Sequence, residues 1–233
     1  MSATLEISHL SKNFGTSTAL KDFSLVAYSS QIIALLGPNG AGKSTLMNMI
    51  SGYLEPSAGI IKILGLPVSE KTKEITGFLP EGAPLYEDMT VKSFLKYITE
   101  LKSQPLSGID RVMNLANITS VADQTIETLS KGFKRRVGFA AGIIGNPPVL
   151  LLDEPTDGLD PNQKAHMMGL IRDMSKDKTI LISTHLLDEA EEIANRILIL
   201  DKGYLKIDGD LESVLKQTKT TSLENAFVKL TRS

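Results

Sequence analysis

The chain has 233 residues, 42% of them hydrophobic and 22% charged, enough to bury a sizeable core and unlike a disordered chain. Its 25 Lys and Arg against 27 Asp and Glu leave a formal net charge of -2, which removes any global electrostatic case for nucleic acid or an anionic membrane surface as main partner. With no cysteine there is no disulfide framework, Cys-ligated zinc or iron–sulfur cluster, which suits a reducing compartment, and residues 1–6 have neither the basic start nor the apolar stretch of a secretion signal.

Residues 5–10 and 20–26 read as short strands, separated by a polar turn over 13–18. The apolar run 32–36 predicts a buried strand. It leads into Gly37-Pro38-Asn39-Gly40-Ala41-Gly42-Lys43-Ser44-Thr45 and a helix carrying Leu46, Met47, Met49 and Ile50, which should end near Gly52. A phosphate chain needs close backbone approach, which Gly37, Gly40 and Gly42 permit, and N–H donors converging at a helix N-terminus. Lys43 adds a mobile cation for the β/γ-phosphates, and the Ser44 hydroxyl suits Mg²⁺. Strands are expected at 60–64 and 75–79.

From 84 to 145 the pattern becomes helical, with Val91, Phe94, Leu95, Ile98 and Leu101 after a Thr90 N-cap, so this stretch is expected to be a helical insertion. Near its end Ser130 caps a second helix, and free N–H groups around Gly132 make another anion-binding surface. The cluster Lys134-Arg135-Arg136 reads first as a solvated basic face, with nucleic-acid contact as the lesser alternative. The longest uncharged stretches, 23–42 and 137–152, fail as membrane spans. The first is broken by Ser29-Ser30-Gln31 and the glycine loop, and the second is shorter than roughly 18 apolar residues and holds Asn146-Pro147-Pro148.

Strands return at 149–152, 179–183 and 196–200, the first two joined by a helix with Asp160 as N-cap and Pro161 at N1. Alternating strands and helices imply a mainly parallel sheet covered on both faces. Four aliphatics before Asp153-Glu154 put two carboxylates at a strand's C-terminal end, Asp153 to hold Mg²⁺ and Glu154 to orient or deprotonate the attacking water. His185, at the end of the next strand, is placed to hydrogen-bond a γ-phosphate or its water, whereas His9 and His166 lack metal-like spacing. Asp201-Lys202-Gly203 reads as a hairpin turn into a strand over 204–207, and the remainder, 215–233 in particular, as a helical tail.

The ordered series of phosphate loop, Ser130/Gly132 element, Asp153-Glu154, Gly158-Leu159-Asp160 and His185 resembles the ATPase subunits of ABC transporters over nearly the whole chain. The resemblance implies an α/β P-loop ATPase fold in a single domain, 1–233, with the helical subdomain 84–145 inserted. It implies a head-to-tail dimer with two ATPs sandwiched between the phosphate loop of one copy and Ser130/Gly132 of the other. It also implies that Asp160 lies at the dimer seam, Phe14 stacks on adenine, and Glu154, His185 and Lys43 serve catalysis. The partner it implies is a separate integral membrane permease docked near 83–97, placing the chain in the cytoplasm on the inner face of the membrane, with no nucleic acid bound.

Three elements depart from the family's common pattern. Leu129-Ser130-Lys131-Gly132-Phe133 replaces Leu-Ser-Gly-Gly-Gln, Glu81 stands where glutamine is usual and approaches Mg²⁺ or its water as a carboxylate, and Phe14 stands for tyrosine. The first two variants, and a tail over 222–231, are similar to those of exporter ATPases for drugs or polysaccharides. A soluble ABC-type ATPase in repair, ribosome or cluster-assembly work shares the site; a long coiled-coil insertion or second ATPase unit would favour it, and neither is present in the sequence. A regulatory module that binds nucleotide without hydrolysis would have no need of Glu154.

Overall fold

The computed structural model describes residues 2–232; Met1 and Ser233, the ends of the expected domain, lie outside them. The chain opens with β1 (Ala3–Phe14) and β2 (Ser17–Tyr28), a long antiparallel pair. The expected turn over 13–18 shrinks to Gly15-Thr16, because Asn13 pairs with Thr18 and Phe14 with Ser17 inside the ladder. The central strand β3 (Gln31–Leu36) and helix α1 (Lys43–Ile50) follow. Then come β4 (Ala58–Ile63), a two-residue β5 (Leu66–Pro67), a polar one-turn α2 (Glu70–Glu74) that carries no apolar periodicity, and β6 (Thr76–Leu79).

Next come α3 (Val91–Leu101), α4 (Ile109–Leu115) and α5 (Lys131–Ile143), the first two joined through one 3₁₀ turn and the last two through two. Thr90 caps α3 by accepting from the Ser93 N–H. The alternation resumes with β7 (Val149–Asp153), α6 (Pro161–Met174), β8 (Thr179–Ser183), α7 (Leu187–Ile193) and β9 (Arg196–Asp201). After β10 (Tyr204–Gly209) the chain ends in α8 (Leu211–Thr218) and α9 (Leu223–Thr231).

Two sheets result. The main one has order β10-β9-β3-β8-β7-β6, parallel throughout except for the β9–β10 hairpin, and the smaller is antiparallel, β2-β1-β4-β5. Period-two alternation along the main strands divides the core by face. Val149, Leu151 and Leu181 point with Ile33 and Leu35 toward α1 and the small sheet. Leu150, Leu152, Ile180 and Ile182 point the other way, into the cluster built with α3, α4, α5 and α6. Ala34, Leu36, Ile197 and Ile199 instead pack with Val214, Leu223 and Ala226 of the final helices. Burial on both faces explains the unbroken aliphatic runs in the sequence.

Candidate functional site

Register sets the C-terminal ends of four parallel strands level. Leu79 pairs with Leu152, and both Asp153 and Leu35 pair with Ser183. The loops after β6, β3, β7 and β8 therefore open on one edge, where ligands of open α/β sheets bind. A cavity of about 760 Å³ lies there, lined by Asn39, Gly40, Ala41, Gly42, Lys43, Ser44 and Thr45 from one side and by Glu81, Asp153, Glu154, Asp157, Ser183 and His185 from the other.

The loop after β3 is shaped for an anion. Gly42 is the N-cap of α1 at φ +107°, where a Cβ would sit 2.5 Å from the Ala19 carbonyl, so only glycine fits. It brings no capping side chain, and no acid occupies the first turn, which leaves the helix N-terminus electropositive toward the cavity. The Lys43 ammonium donates to the carbonyls of Gly37 at 2.6 Å and Pro38 at 3.2 Å. Burial pushes its pKa down, against the pull of Glu154, Asp153 and Glu81.

Opposite stand the acids. Glu154 follows β7 at φ +51°, a left-handed conformation unfavourable for a non-glycine residue. Its N–H donates to the Ser183 carbonyl at 2.8 Å, and its Oε2 lies 2.9 Å from His185 Nδ1. Burial pushes the Glu154 carboxyl up, and the hydrogen bond from the imidazole pulls it partly back. Asp153 is buried at the floor. Ser44, Asp153 and Glu81 form a hard oxygen donor set, while no group of three or more His, Cys, Asp or Glu among the described residues makes a metal cage. That set fits Mg²⁺, which keeps waters and takes substrate phosphates rather than a protein-only shell.

Two further residues here carry no sequence signal of their own. Ser183 Oγ is buried without a hydrogen-bond partner at the end of β8, in register with Asp153. Glu189, only 2% exposed on α7, accepts from Thr156 Oγ1 at 2.6 Å and Thr184 Oγ1 at 3.2 Å and pairs with Lys164 at 2.9 Å, joining the loops after β7 and β8.

Other expected site residues lie outside this cavity. Ser130 caps α5 by accepting from the Phe133 N–H at 3.3 Å, and Gly132 packs so close to the Gly158 carbonyl and Gln163 that a Cβ would crowd both. Asp160 caps α6 through the Gln163 N–H at 2.9 Å. Lys131 pairs with Asp157 at 2.8 Å, so Ser130, Gly132 and Asp160 belong to one surface built from the α5 turn and the 157–160 loop. Phe14, 52% exposed, sits at the end of β1 with the Lys12 ammonium 5.1 Å from its ring centroid.

The reading of Lys134-Arg135-Arg136 as a solvated face is corrected. Arg135 and Arg136 are 5% and 3% exposed, and only Lys134, paired with Glu87 at 2.7 Å, reaches outward. Arg136 donates to the Asn117 carbonyl at 2.6 Å and stacks on Phe133. Arg135 turns inward because backbone carbonyls of two loops converge on its guanidinium.

A second cavity, of about 570 Å³, lies between β6, α3 and α5, with Tyr53, Phe78, Ala83, Leu85, Phe94 and Lys102 on its walls. Lys102 reaches the carbonyls of Ala141 at 3.3 Å and Gly142 at 3.4 Å, and burial lowers its pKa from 10.5 to about 8. Between those values the unfolded chain holds a proton that the folded chain lacks, so wild-type stability rises as pH climbs through the window. Lys102→Met, which does not titrate, should raise stability at neutral pH by about 1–3 kcal/mol. In thermal melts the gain should disappear as pH rises from about 8 toward 10.5.

Among the described residues no helix is long and apolar enough to cross a membrane. The family profile described as ABC transporter matches residues 20–157. The chain is 32% identical over 229 residues to the uncharacterized ABC transporter ATP-binding protein YxlF of Bacillus subtilis, covering 97% of this chain and 77% of that one. It is 32% identical over 215 residues to the Nod factor export ATP-binding protein I of Paraburkholderia xenovorans, covering 89% and 71%. A solved structure described as the ATP binding subunit of an ABC transporter superposes with a TM-score of 0.91 at 29% identity, over 97% of this chain and 99% of the other. The phosphate-loop helix, the acids at the strand ends and these likenesses agree: the chain belongs to the ABC transporter family, as an ATP-binding and ATP-hydrolysing subunit with the P-loop α/β fold.

Proposed function

We propose that the chain works as two head-to-tail copies which bind ATP between them and drive a separate membrane permease in export. One observation carries the dimer: the phosphate loop, Asp153, Glu154 and His185 share a cavity that Ser130, Gly132 and Asp160 do not line. A second copy turned about a two-fold axis would bring its Ser130 and Gly132 to that open side, and Asp160 to the seam between them.

In this reading the first-turn N–H groups of α1 and Lys43 hold the β/γ-phosphates, and the exposed ring of Phe14 stacks on adenine. Ser44 and Asp153 would hold Mg²⁺, with Glu81 beside them, and the ion would supply charge neutralisation on the phosphate oxygens. Glu154, its carboxylate made more basic by burial and aligned by His185, takes the proton of the attacking water. The partner copy's helix N-terminus at Ser130 and Gly132 faces the transferring group, where fixed donors act at full strength once water is excluded.

The apolar groove between β6, α3 and α5 is the permease's docking site, overlapping the 83–97 segment. This would keep the chain on the inner face of the membrane. The export direction draws support from the Nod factor export relative and from Lys131 and Glu81 in their variant positions. Sedimentation velocity of Glu154→Gln tests the dimer reading: it should run as a dimer with ATP and as a monomer without it. A monomer at saturating ATP would oppose the reading.

A further inference from the structure

Among the described residues Arg135 is the one buried cation that touches the backbone on both sides of the acidic wall. Its Nη1 donates to the carbonyls of Pro80 at 2.7 Å and Glu81 at 2.9 Å, and its Nη2 to the carbonyls of Asp153 and of Glu154, the latter at 2.8 Å. Its Nε is buried without a partner. An unpaired buried N–H costs free energy, so this site is built around the four carbonyl contacts rather than around full satisfaction of the guanidinium. Asp153, Asp157, Glu154 and Glu81 offset the buried charge.

The contacts fall where the backbone needs holding. Glu154 is left-handed, and its peptide is fixed from two sides, by its N–H on the Ser183 carbonyl and by Arg135 on its own carbonyl. Such a conformation persists only when the surroundings over-determine it. Pro80, Gly138 and Ala141 line the groove, whereas Glu81, Asp153 and Glu154 line the cavity, so the guanidinium stands between the two.

We propose that Arg135 is a positioning residue for hydrolysis: its guanidinium clamps the Pro80-Glu81 loop to the Asp153-Glu154 backbone and so aims the Glu154 carboxylate at the attacking water. The inference rests on Glu154 acting on that water. A lysine in its place has a single nitrogen, which cannot bridge four carbonyls on two segments.

The test compares Arg135→Lys and Arg135→Met with wild type, with Arg136→Met as a nearby buried arginine that contacts no cavity residue and Glu154→Gln as the reference for lost turnover. ATP affinity is read by direct titration, kcat and KM by phosphate release, and folding by thermal melts. The proposal expects both Arg135 variants to melt cooperatively and to bind ATP within about threefold of wild type. Their kcat should fall by about 10- to 100-fold, the scale of a misaimed catalytic group, whereas Arg136→Met should lower the melting temperature without that selective loss. Wild-type kcat in both Arg135 variants overturns the proposal if Glu154→Gln is inactive. Loss of cooperative folding or of ATP binding in both also overturns it, because the residue would then serve the fold or the pocket. If Glu154→Gln itself hydrolyses ATP at the wild-type rate, it is the reading of Glu154 that fails.

Discussion

Glu154→Gln should lose about 10²- to 10⁴-fold in kcat while still binding ATP, the scale of removing a positioned general base. The amide keeps the size of the side chain and a hydrogen bond to His185 Nδ1, which lies 2.9 Å from the carboxylate, but it cannot take a proton. The same change should stabilise the unliganded protein. Burial raises the Glu154 pKa above its ordinary 4.5, so at neutral pH the folded state bears the cost of an ionised carboxylate in a poorly solvated site. Between 4.5 and the raised value the folded chain holds a proton that the unfolded chain has lost, and wild-type stability falls as pH rises through that window. Thermal melts should therefore place Glu154→Gln above wild type at neutral pH, with the difference vanishing below about pH 4.5. A variant that hydrolyses ATP at the wild-type rate would remove Glu154 from the reaction.

Lys43→Ala is expected to cost about 3 kcal/mol of ATP binding, roughly a hundredfold in Kd, by analogy with truncating one partner of a desolvated charge pair. Its ammonium, now held by the Gly37 and Pro38 carbonyls, would exchange them for phosphate oxygens when nucleotide enters. Removing it leaves the polyanion facing Asp153, Glu154 and Glu81 with one cation fewer beside the helix terminus to offset the charge. The fold should survive, because Lys43 lines an open cavity and its two contacts are to loop carbonyls. Direct titration checks it: affinity equal to wild type would take the lysine out of phosphate binding.

The site was legible where its chemistry is local in sequence. Seven consecutive residues from Asn39 to Thr45 line the cavity from one side, and Asp153 and Glu154 stand at and just past the end of the buried strand β7. The aliphatic runs of β7 and β8 identify parallel strands because both faces are covered there. What stayed hidden depends on backbone groups brought together from distant loops. The acceptors of Arg135 lie some 20 and 55 positions away in the chain, and carbonyls carry no residue signature. By default an Arg among Lys and Arg is read as exposed, a reading that holds for Lys134 and fails for its two neighbours. Glu189 carries no signal in the sequence for the same reason, since Thr156, Thr184 and Lys164 meet it only once α6 and α7 are packed on the sheet. The turn at Gly15-Thr16 is narrower than the polar run 13–18 suggests because Asn13 and Thr18 are polar residues that nonetheless pair in the ladder.

Mixing two inactive variants tests the shared pocket most directly. Chains carrying Lys43→Ala and chains carrying Ser130→Arg are each assayed alone, then combined in equal amounts and assayed for ATP hydrolysis. If every pocket takes its phosphate loop from one copy and its Ser130 from the other, a mixed pair holds one pocket with both elements intact, and hydrolysis should return in the mixture. A mixture as inactive as its two components, with mixed pairs shown to form, would contradict the account.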